Sequence, residues 1–169
     1  IWQHPIKLLD GFTLSIQDGA KSIVLDKCDS FITYPLATQF KYDGADDLEI
    51  VRTDFVPDSL PVLAVEYQVR NKTNQPKEIL LSLTADTDLS PVWLGERSGM
   101  TDTRDQYTGL IHNTVFAKDS LNNWFVGVTS DQDSLSIDDL GNSPVQGQGI
   151  SVKLNTPRLN LAANEVRNI

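Results

Sequence analysis

The chain has 169 residues, of which 40% are hydrophobic and 22% are charged, a balance typical of a folded globular domain and not of a disordered one. Its formal net charge of -9 opposes binding to nucleic-acid phosphates and to anionic lipid surfaces. The single cysteine, Cys28, excludes an internal disulfide and every cysteine-based zinc site, and it leaves the cellular compartment undetermined.

Alternating apolar residues predict strands from the beginning of the chain. Across residues 12–25, apolar side chains occupy every second position on both sides of an Asp-Gly turn at residues 18–19. This pattern predicts a short hairpin. Residues 37–42 and 48–56 form the next predicted strand pair, with a second Asp-Gly turn at Asp43-Gly44.

The most regular alternation lies in residues 60–86, which we interpret as a long antiparallel hairpin with a polar tip at residues 71–77. One of its faces is apolar and the other polar, so we expect the apolar face to be buried. The predicted core face consists of Leu63, Val65, Tyr67, Val69, Ile79, Leu81, Leu83 and Ala85.

The second half of the chain is less regular. Residues 89–108 have no alternation, which predicts a long loop that either has a function or packs on another surface. Residues 110–117 and 124–130 are predicted to pair as strands, and residues 131–149 to form a loose, aspartate-rich connection. Alternation returns in residues 150–163, which predict the last strands.

About ten short strands and no helical periodicity predict an all-β protein, an antiparallel β-sandwich. We expect a single domain over residues 1–169. Its final residues still have an extended pattern, so we expect the sandwich to be incomplete. The chain begins Ile-Trp-Gln-His-Pro without a methionine, which favours a fragment or a processed form.

The irregular stretch carries a candidate carbohydrate-binding surface formed by Trp93, Glu96, Arg97 and Tyr107. An aromatic platform surrounded by carboxylate and guanidinium groups suits a sugar, which offers an apolar ring face and many hydroxyl groups. The alternative, which we favour, is structural: Trp93 anchors the loop to the sandwich or to a neighbouring domain, and the charged groups pair locally.

No residue is assigned a catalytic role. His4 and His112 are the only histidines, no Gly-x-Ser-x-Gly motif accompanies them, and the strand pattern around His112 favours a structural histidine. Glycoside hydrolysis needs two carboxyl groups at a defined separation. The only candidate pair, Glu96 with Asp102 or Asp105, lies on the predicted loop, where no scaffold fixes its geometry.

No metal site or cofactor site is predicted. The aspartates at positions 43, 46 and 47 and those within residues 131–139 lack the order of a calcium-binding EF-hand, so we expect solvated turns. There is no glycine-rich phosphate-binding loop. No apolar run of 18 residues exists, so we expect no membrane span.

Three stretches carry a family resemblance: Val51-Arg52-Thr53-Asp54-Phe55-Val56-Pro57, Leu63-Ala64-Val65-Glu66-Tyr67-Gln68-Val69-Arg70-Asn71 and Leu89-Ser90-Pro91-Val92-Trp93. Together they resemble the N-terminal β-sandwich of glycogen-debranching-type glycoside hydrolases, a group that includes amylo-α-1,6-glucosidase-like and glucoamylase-like enzymes. The resemblance implies a sandwich of the supersandwich type. In that group the sandwich precedes an (α/α)6 barrel that holds the catalytic carboxylates. The resemblance therefore implies no catalytic residue in this chain.

The resemblance implies a non-catalytic domain of a glycoside hydrolase acting on α-glucosides. Such a domain packs on the (α/α)6 catalytic domain of the same polypeptide and shapes the entrance to its active site. The alternative is a free-standing carbohydrate-binding module whose partner is an oligo- or polysaccharide. A structural or adhesion module without a sugar ligand is a third interpretation. A helical catalytic domain encoded downstream would distinguish the first interpretation from the other two.

Overall fold

The structure is a computed structural model that describes residues 1–43, 47–143 and 147–169. Strands make up 60% of the described residues and helix 2%, and the strands pair in antiparallel sheets. The predicted all-β, sandwich-like fold class is therefore confirmed. Within the described ranges, no helix has the length and apolar character needed to cross a membrane.

Fifteen strands and one short helix follow one another in the described parts of the chain. They are β1 (Trp2–Gln3), β2 (Ile6–Asp18), β3 (Lys21–Val24), β4 (Ser30–Thr33), β5 (Ala37–Tyr42), β6 (Leu48–Phe55), β7 (Ala64–Asn71), β8 (Lys77–Pro91), α1 (Leu94–Arg97), β9 (Asp105–Ile111), β10 (Thr114–Asp119), β11 (Phe125–Thr129), β12 (Ser136–Asn142), β13 (Ile150–Asn155), β14 (Leu159–Leu161) and β15 (Val166–Asn168).

The chain forms two compact units. The first consists of Ile1–Leu14 and Ser82–Pro157, and the second of Ser15–Leu81 and Arg158–Ile169. The long strands β2 and β8 contribute residues to both units. The single sandwich domain expected over residues 1–169 stays a prediction.

In the first unit, apolar residues of two sheets form one core. Strand β13 pairs with β8 on one side and with β12 on the other, while β9, β10 and β11 form a separate three-stranded sheet. Alternate residues of these strands face inward, as the two-residue period of a strand requires. The buried members of this core are Leu9, Ala85, Val115, Ala117, Ile150, Val152 and Leu154.

The second unit contains a five-stranded antiparallel sheet in the order β15-β7-β6-β5-β4. It also contains the β2–β3 hairpin, whose turn includes Gly19 at a φ of +58°, and the pairing of β14 with the beginning of β8. The predicted hairpin over residues 12–25 is therefore confirmed. Large apolar side chains from all of these pieces are buried: Ile16, Leu25, Tyr42, Leu48, Ile50, Tyr67, Val69, Ile79, Leu81, Leu159 and Leu161.

The long hairpin predicted over residues 60–86 is wrong, although its two strands exist. Strand β7 pairs with β6 and β15, whereas β8 pairs with β13 and β14. The polar loop at residues 71–77 thus connects strands of different sheets. Alternation specifies which side of a strand is buried, but it carries no information about which strand lies beside it.

The predicted core face of these two strands is the buried one. Tyr67, Val69, Ile79, Leu81 and Ala85 are buried, and the other three predicted members are half-buried. On the opposite face of β7, the polar side chains are exposed.

Two predictions for residues 110–149 differ from the structure. The predicted strand at residues 110–117 contains a tight turn, because His112 and Asn113 both have positive φ, as the commonest two-residue hairpin turn requires. His112 is thus a turn residue rather than a strand residue. The connection at residues 131–149 contains β12.

The predicted turn residue Gly44, and Asp46 of the first aspartate group, lie outside the described residues.

The irregular stretch predicted at residues 89–108 is shorter than expected. Strand β8 continues to Pro91 and β9 begins at Asp105, so only residues 92–104 connect them. The alternation was hidden because several buried positions in this region carry polar side chains: Thr87, Asp88 and Asp105.

Candidate functional site

Trp93 occupies an unusual backbone position directly after β8. Its φ of +51° lies in a region that bulky residues rarely adopt, and 66% of its surface is exposed. The surrounding segment is fixed: the N–H of Val92 donates to the carbonyl of Pro5, and the N–H of Arg97 donates to the carbonyl of Trp93. Gly95 is buried, and a Cβ there would meet Pro91, Met100 and the Pro5 carbonyl at 3.1 to 3.3 Å.

Two residues from the beginning of the chain join Trp93. The ring centroids of Trp2 and Trp93 are 5.9 Å apart at an interplanar angle of 58°, and the His4 ring meets Trp93 edge-on at 5.3 Å. Trp2 is 62% exposed, and His4 is exposed as well. We call Trp2, His4 and Trp93 the aromatic surface. Leu94, which is 69% exposed, follows Trp93 directly in the chain.

The four predicted site residues do not line one common cavity. Glu96 and Arg97 are exposed on α1, immediately after Trp93. Tyr107 lies on β9, in the wall of a shallow pocket of about 270 Å³, smaller than most ligand pockets. Among the described residues, this pocket is lined by Arg104, Asp105, Gln106, Tyr107, Asp139, Gly141 and Ile150.

Sequence reasoning missed Trp2 and His4 as members of the site. Both precede the first long strand, and nothing in their local pattern links them to residue 93. The available signal was compositional, since Trp2 lies outside every alternating segment and therefore has no expected place in a core.

Three aspartates of the first unit are buried: Asp88, Asp105 and Asp119, with exposures of 3%, 1% and 0%. We call them the buried carboxylates. Asp88 forms an ion pair with Lys7, whose ammonium group also lies 2.9 Å from the Asp10 carboxylate. Charged side chains this deeply buried are rare unless they are paired or hydrogen-bonded.

Asp105 is the first residue of β9, and one of its two carboxylate oxygens is hydrogen-bonded. One of its oxygens, Oδ2, accepts hydrogen bonds from the Thr87 hydroxyl and the Leu89 N–H, both at 3.0 Å. The other, Oδ1, is buried and has no hydrogen-bond partner among the described residues. The expectation that Asp105 lies on a loop without a scaffold is therefore wrong, because the end of β8 fixes its carboxyl group.

Burial raises the pKa of Asp105 to about 6. The hydrogen bonds from Leu89 and Thr87 act in the opposite direction, and the negative charges of Asp88 and Asp119 add to the increase. Burial also raises the pKa of Asp102. Because the unpartnered oxygen of Asp105 is enclosed, it is not exposed to a ligand in the neighbouring pocket. Its burial therefore affects the free energy of unfolding and not the binding of a ligand.

The Asp105→Asn variant should be more stable than the parent at neutral pH. The folded-state pKa of about 6 exceeds the ordinary value of 3.8, so the protonated carboxyl group favours the folded state. Its contribution to the free energy of unfolding is fully present below about pH 4 and is lost as the pH rises through 6. The loss amounts to roughly 3 kcal/mol at most. Asparagine does not ionise, so urea unfolding of the variant should depend less on pH between about pH 4 and pH 7.

The exposed Asp133 provides the control, because Asp133→Asn should leave the stability at neutral pH unchanged. An Asp105→Asn variant that is less stable than the parent at neutral pH would contradict the assignment of a buried, unfavourable charge to Asp105.

No group of three or more histidine, cysteine, aspartate or glutamate side chains arranged to hold a metal ion occurs among residues 1–43, 47–143 and 147–169. Asp131 and Asp133 are exposed and precede β12, in agreement with the expectation of solvated turns. For Asp138 and Asp139 the expectation is wrong, because both are exposed but lie on β12.

No protein-family model matches the chain, and no curated protein matches it.

Proposed function

We propose that the chain is a non-catalytic N-terminal β-sandwich of a glycoside hydrolase that acts on α-glucosides. In this proposal, the aromatic surface packs on the (α/α)6 catalytic domain of the same polypeptide, near the entrance to its active site. The observation that carries the proposal is the conformation of Trp93, which combines a positive φ with a ring that is 66% exposed.

The energetic cost of the Trp93 conformation supports the proposal that a partner outside the chain contacts this residue. A bulky residue in a sparsely populated backbone region costs on the order of 1 to 3 kcal/mol. An indole that stays mostly in water gains little stabilisation from burial, so burial within this chain does not offset that cost. Trp2 and Leu94 are similarly exposed beside Trp93, so the apolar area extends beyond one side chain. Exposed apolar patches of this kind are typical of interaction sites.

The stretches that carry the family resemblance have structural roles consistent with the proposal. Those at residues 51–57 and 63–71 fall largely on β6 and β7, which are adjacent strands of one sheet. Within them, Arg52 forms an ion pair with Asp54, and Asn71 is completely buried. The third stretch ends at Trp93. The resemblance thus involves residues that maintain the sandwich and one residue that is available to a partner.

The coding sequence downstream of Ile169 tests the proposal directly. We expect alternating helices that contain the catalytic carboxylates, and a stop codon immediately after Ile169 would overturn the proposal. In the intact enzyme, Trp93→Ala should lower the melting temperature and the rate of glycogen hydrolysis, because a contact between domains is lost.

A free-standing carbohydrate-binding module is the second candidate. The tilted, exposed rings of Trp2 and Trp93 favour it, because two neighbouring indole rings, with centroids 5.9 Å apart, offer stacking surface to a sugar chain. The exposed Glu96 and Arg97 are close in sequence and supply an acceptor and a donor for hydroxyl groups.

Trp93→Ala separates the two candidates when it is made in the 169-residue chain. Since most of the ring is exposed, its removal should change the free energy of unfolding by less than about 1 kcal/mol. A carbohydrate-binding module would bind malto-oligosaccharides in titration calorimetry and lose that affinity in the variant. The domain of a larger enzyme would show no measurable affinity in either form.

Phe125→Ala is the matched control, because Phe125 is 61% exposed on β11 and belongs to no proposed site. A large fall in the melting temperature of the Trp93→Ala chain, with no sugar binding by the parent, would identify Trp93 as an internal anchor and contradict both candidates.

A further inference from the structure

Strand β4 leaves one edge of the five-stranded sheet open. It is the last strand in the order β15-β7-β6-β5-β4, and within the described residues it pairs only with β5. Soluble proteins usually protect such an edge with a charged side chain, a proline or a bulge. The sequence of β4, Ser-Phe-Ile-Thr, contains neither a charge nor a proline.

The hydrogen-bonding groups of this edge can be assigned from the turn that follows. The N–H of Tyr34 donates to the carbonyl of Ala37 at 2.8 Å, so Tyr34 directs its N–H towards β5. Successive residues of a strand direct these groups to opposite sides. The N–H and C=O groups of Phe31 and Thr33 therefore face the open edge.

Apolar side chains are exposed on both faces of β4 and in the turn after it. Phe31 is 65% exposed, and its ring lies 6.3 Å from Phe40 on one face of the sheet. Ile32, 53% exposed, projects from the opposite face, as does Tyr34 at 48%. Leu36 in the turn is 75% exposed. An edge strand with these properties is typical of a surface that pairs with another strand.

We propose that β4 pairs with β4 of a second copy of this chain, antiparallel and across a twofold axis. In an antiparallel pair, residues that direct their hydrogen-bonding groups outward must lie opposite each other. The register centred on Ile32 meets this condition, because it places Phe31 opposite Thr33 of the second copy and Thr33 opposite its Phe31. Both residues of each copy then exchange hydrogen bonds.

The side chains fit the same register. Ile32 lies opposite Ile32 of the second copy, and the two form a β-branched pair at the close, non-hydrogen-bonded position. Residue 31 contacts residue 33 in both directions, which is the reciprocity that a twofold interface requires. No like charges oppose each other along the four residues.

The size of this contact predicts a weak dimer. Burying a short strand edge with four apolar side chains removes on the order of several hundred Å² from each copy, below the roughly 800 Å² per partner of a standard stable complex. Association should therefore depend on concentration. The inference goes beyond the proposed function and does not use the aromatic surface, so the two can fail independently.

Sedimentation velocity of the 169-residue chain over a wide range of concentration tests the proposal. The average mass should rise from that of one chain towards that of two. Ile32→Lys places two ammonium groups opposite each other and should raise the dissociation constant at least about tenfold. Leu121→Lys, at a position that is 83% exposed in the first unit, is the matched control and should dimerise like the parent.

Cross-linking tests the register. In a Cys28→Ser background, Ile32→Cys places each thiol opposite its own symmetry mate, within the Cα separation that a disulfide allows. Oxidation should yield a covalent dimer, whereas Leu121→Cys in the same background should yield far less. A chain that stays monomeric at all concentrations, or equal cross-linking of the two variants, would overturn the proposal.

Discussion

Replacing Asp119 with alanine should lower the free energy of unfolding by about 3 to 5 kcal/mol, measured by urea denaturation at neutral pH. Asp119 ends β10 and is completely buried. Its two oxygens accept hydrogen bonds from the N–H groups of Thr103, Leu121 and Asn122, from the Thr103 hydroxyl and from the Asn122 amide. Alanine would leave all five donors without this acceptor.

The pH dependence supplies a second readout. Burial alone would raise the pKa of Asp119, but the hydrogen bonds from Thr103, Asn122 and Leu121 outweigh it and lower the pKa. Stability from Asp119 is therefore present above its ordinary value of 3.8 and is lost as the pH falls through the lower, folded-state value. The difference between parent and Asp119→Ala should shrink in strong acid.

Asp133→Ala is the control for Asp119→Ala, because Asp133 is exposed. A second comparison uses the same isosteric change at two buried carboxylates. Asp119→Asn should destabilise the protein, since an NH₂ group replaces an acceptor that faces donors, whereas Asp105→Asn should stabilise it. If both substitutions changed the free energy of unfolding in the same direction, the environments assigned to Asp119 and Asp105 would be contradicted.

Leu81→Ala should lower the free energy of unfolding by about 2 to 5 kcal/mol. Leu81 is 1% exposed and lies on the buried face of β8, beside other buried side chains such as Ile79. Truncation removes apolar contacts and leaves a cavity that the surrounding sheet closes only in part. Chemical denaturation at a single pH is sufficient, because no titratable group is changed.

Leu121→Ala is the matched control for Leu81→Ala, since the same side chain is 83% exposed there and should cost little. Equal effects at the two positions would mean that Leu81 is not part of a packed core. That result would also reject the assignment of the inward face of β8.

The strand predictions succeeded in several segments whose buried positions carry apolar side chains, but they missed the first half of β2, where Ile6 and Leu9 are buried. Residues 37–42 coincide with β5, and the inward faces of β7 and β8 were identified correctly. The prediction failed around Thr87, Asp88 and Asp105, because tertiary hydrogen bonds and ion pairs satisfy polar groups that a sequence pattern places in water. A buried polar group is recognised only by its partners, and those are distant in sequence.

The candidate site was predictable only in its local part. Trp93, Glu96 and Arg97 are neighbours along the chain, and the sequence indicates a polar and aromatic segment there. Trp2 and His4 reach Trp93 because the carbonyl of Pro5 accepts a hydrogen bond from Val92, which brings the beginning of the chain to the end of β8. That contact spans almost ninety positions, and no local pattern records it.

Tyr107 shows the opposite case. It was grouped with Trp93 because the two are close in sequence, but β9 begins at Asp105 and places Tyr107 in the wall of a separate pocket. Proximity along the chain predicts proximity in space only within one turn or one strand.

The sequence by itself determined the all-β class, the approximate positions of most strands and the buried side of β7 and β8, because these follow from the two-residue period of side chains along a single strand. Only the tertiary structure decided which strands lie beside β7 and β8, which aspartates are buried and which aromatic rings meet. These properties depend on hydrogen bonds and contacts between residues far apart in the chain, and the energies of such contacts have no counterpart in a local pattern.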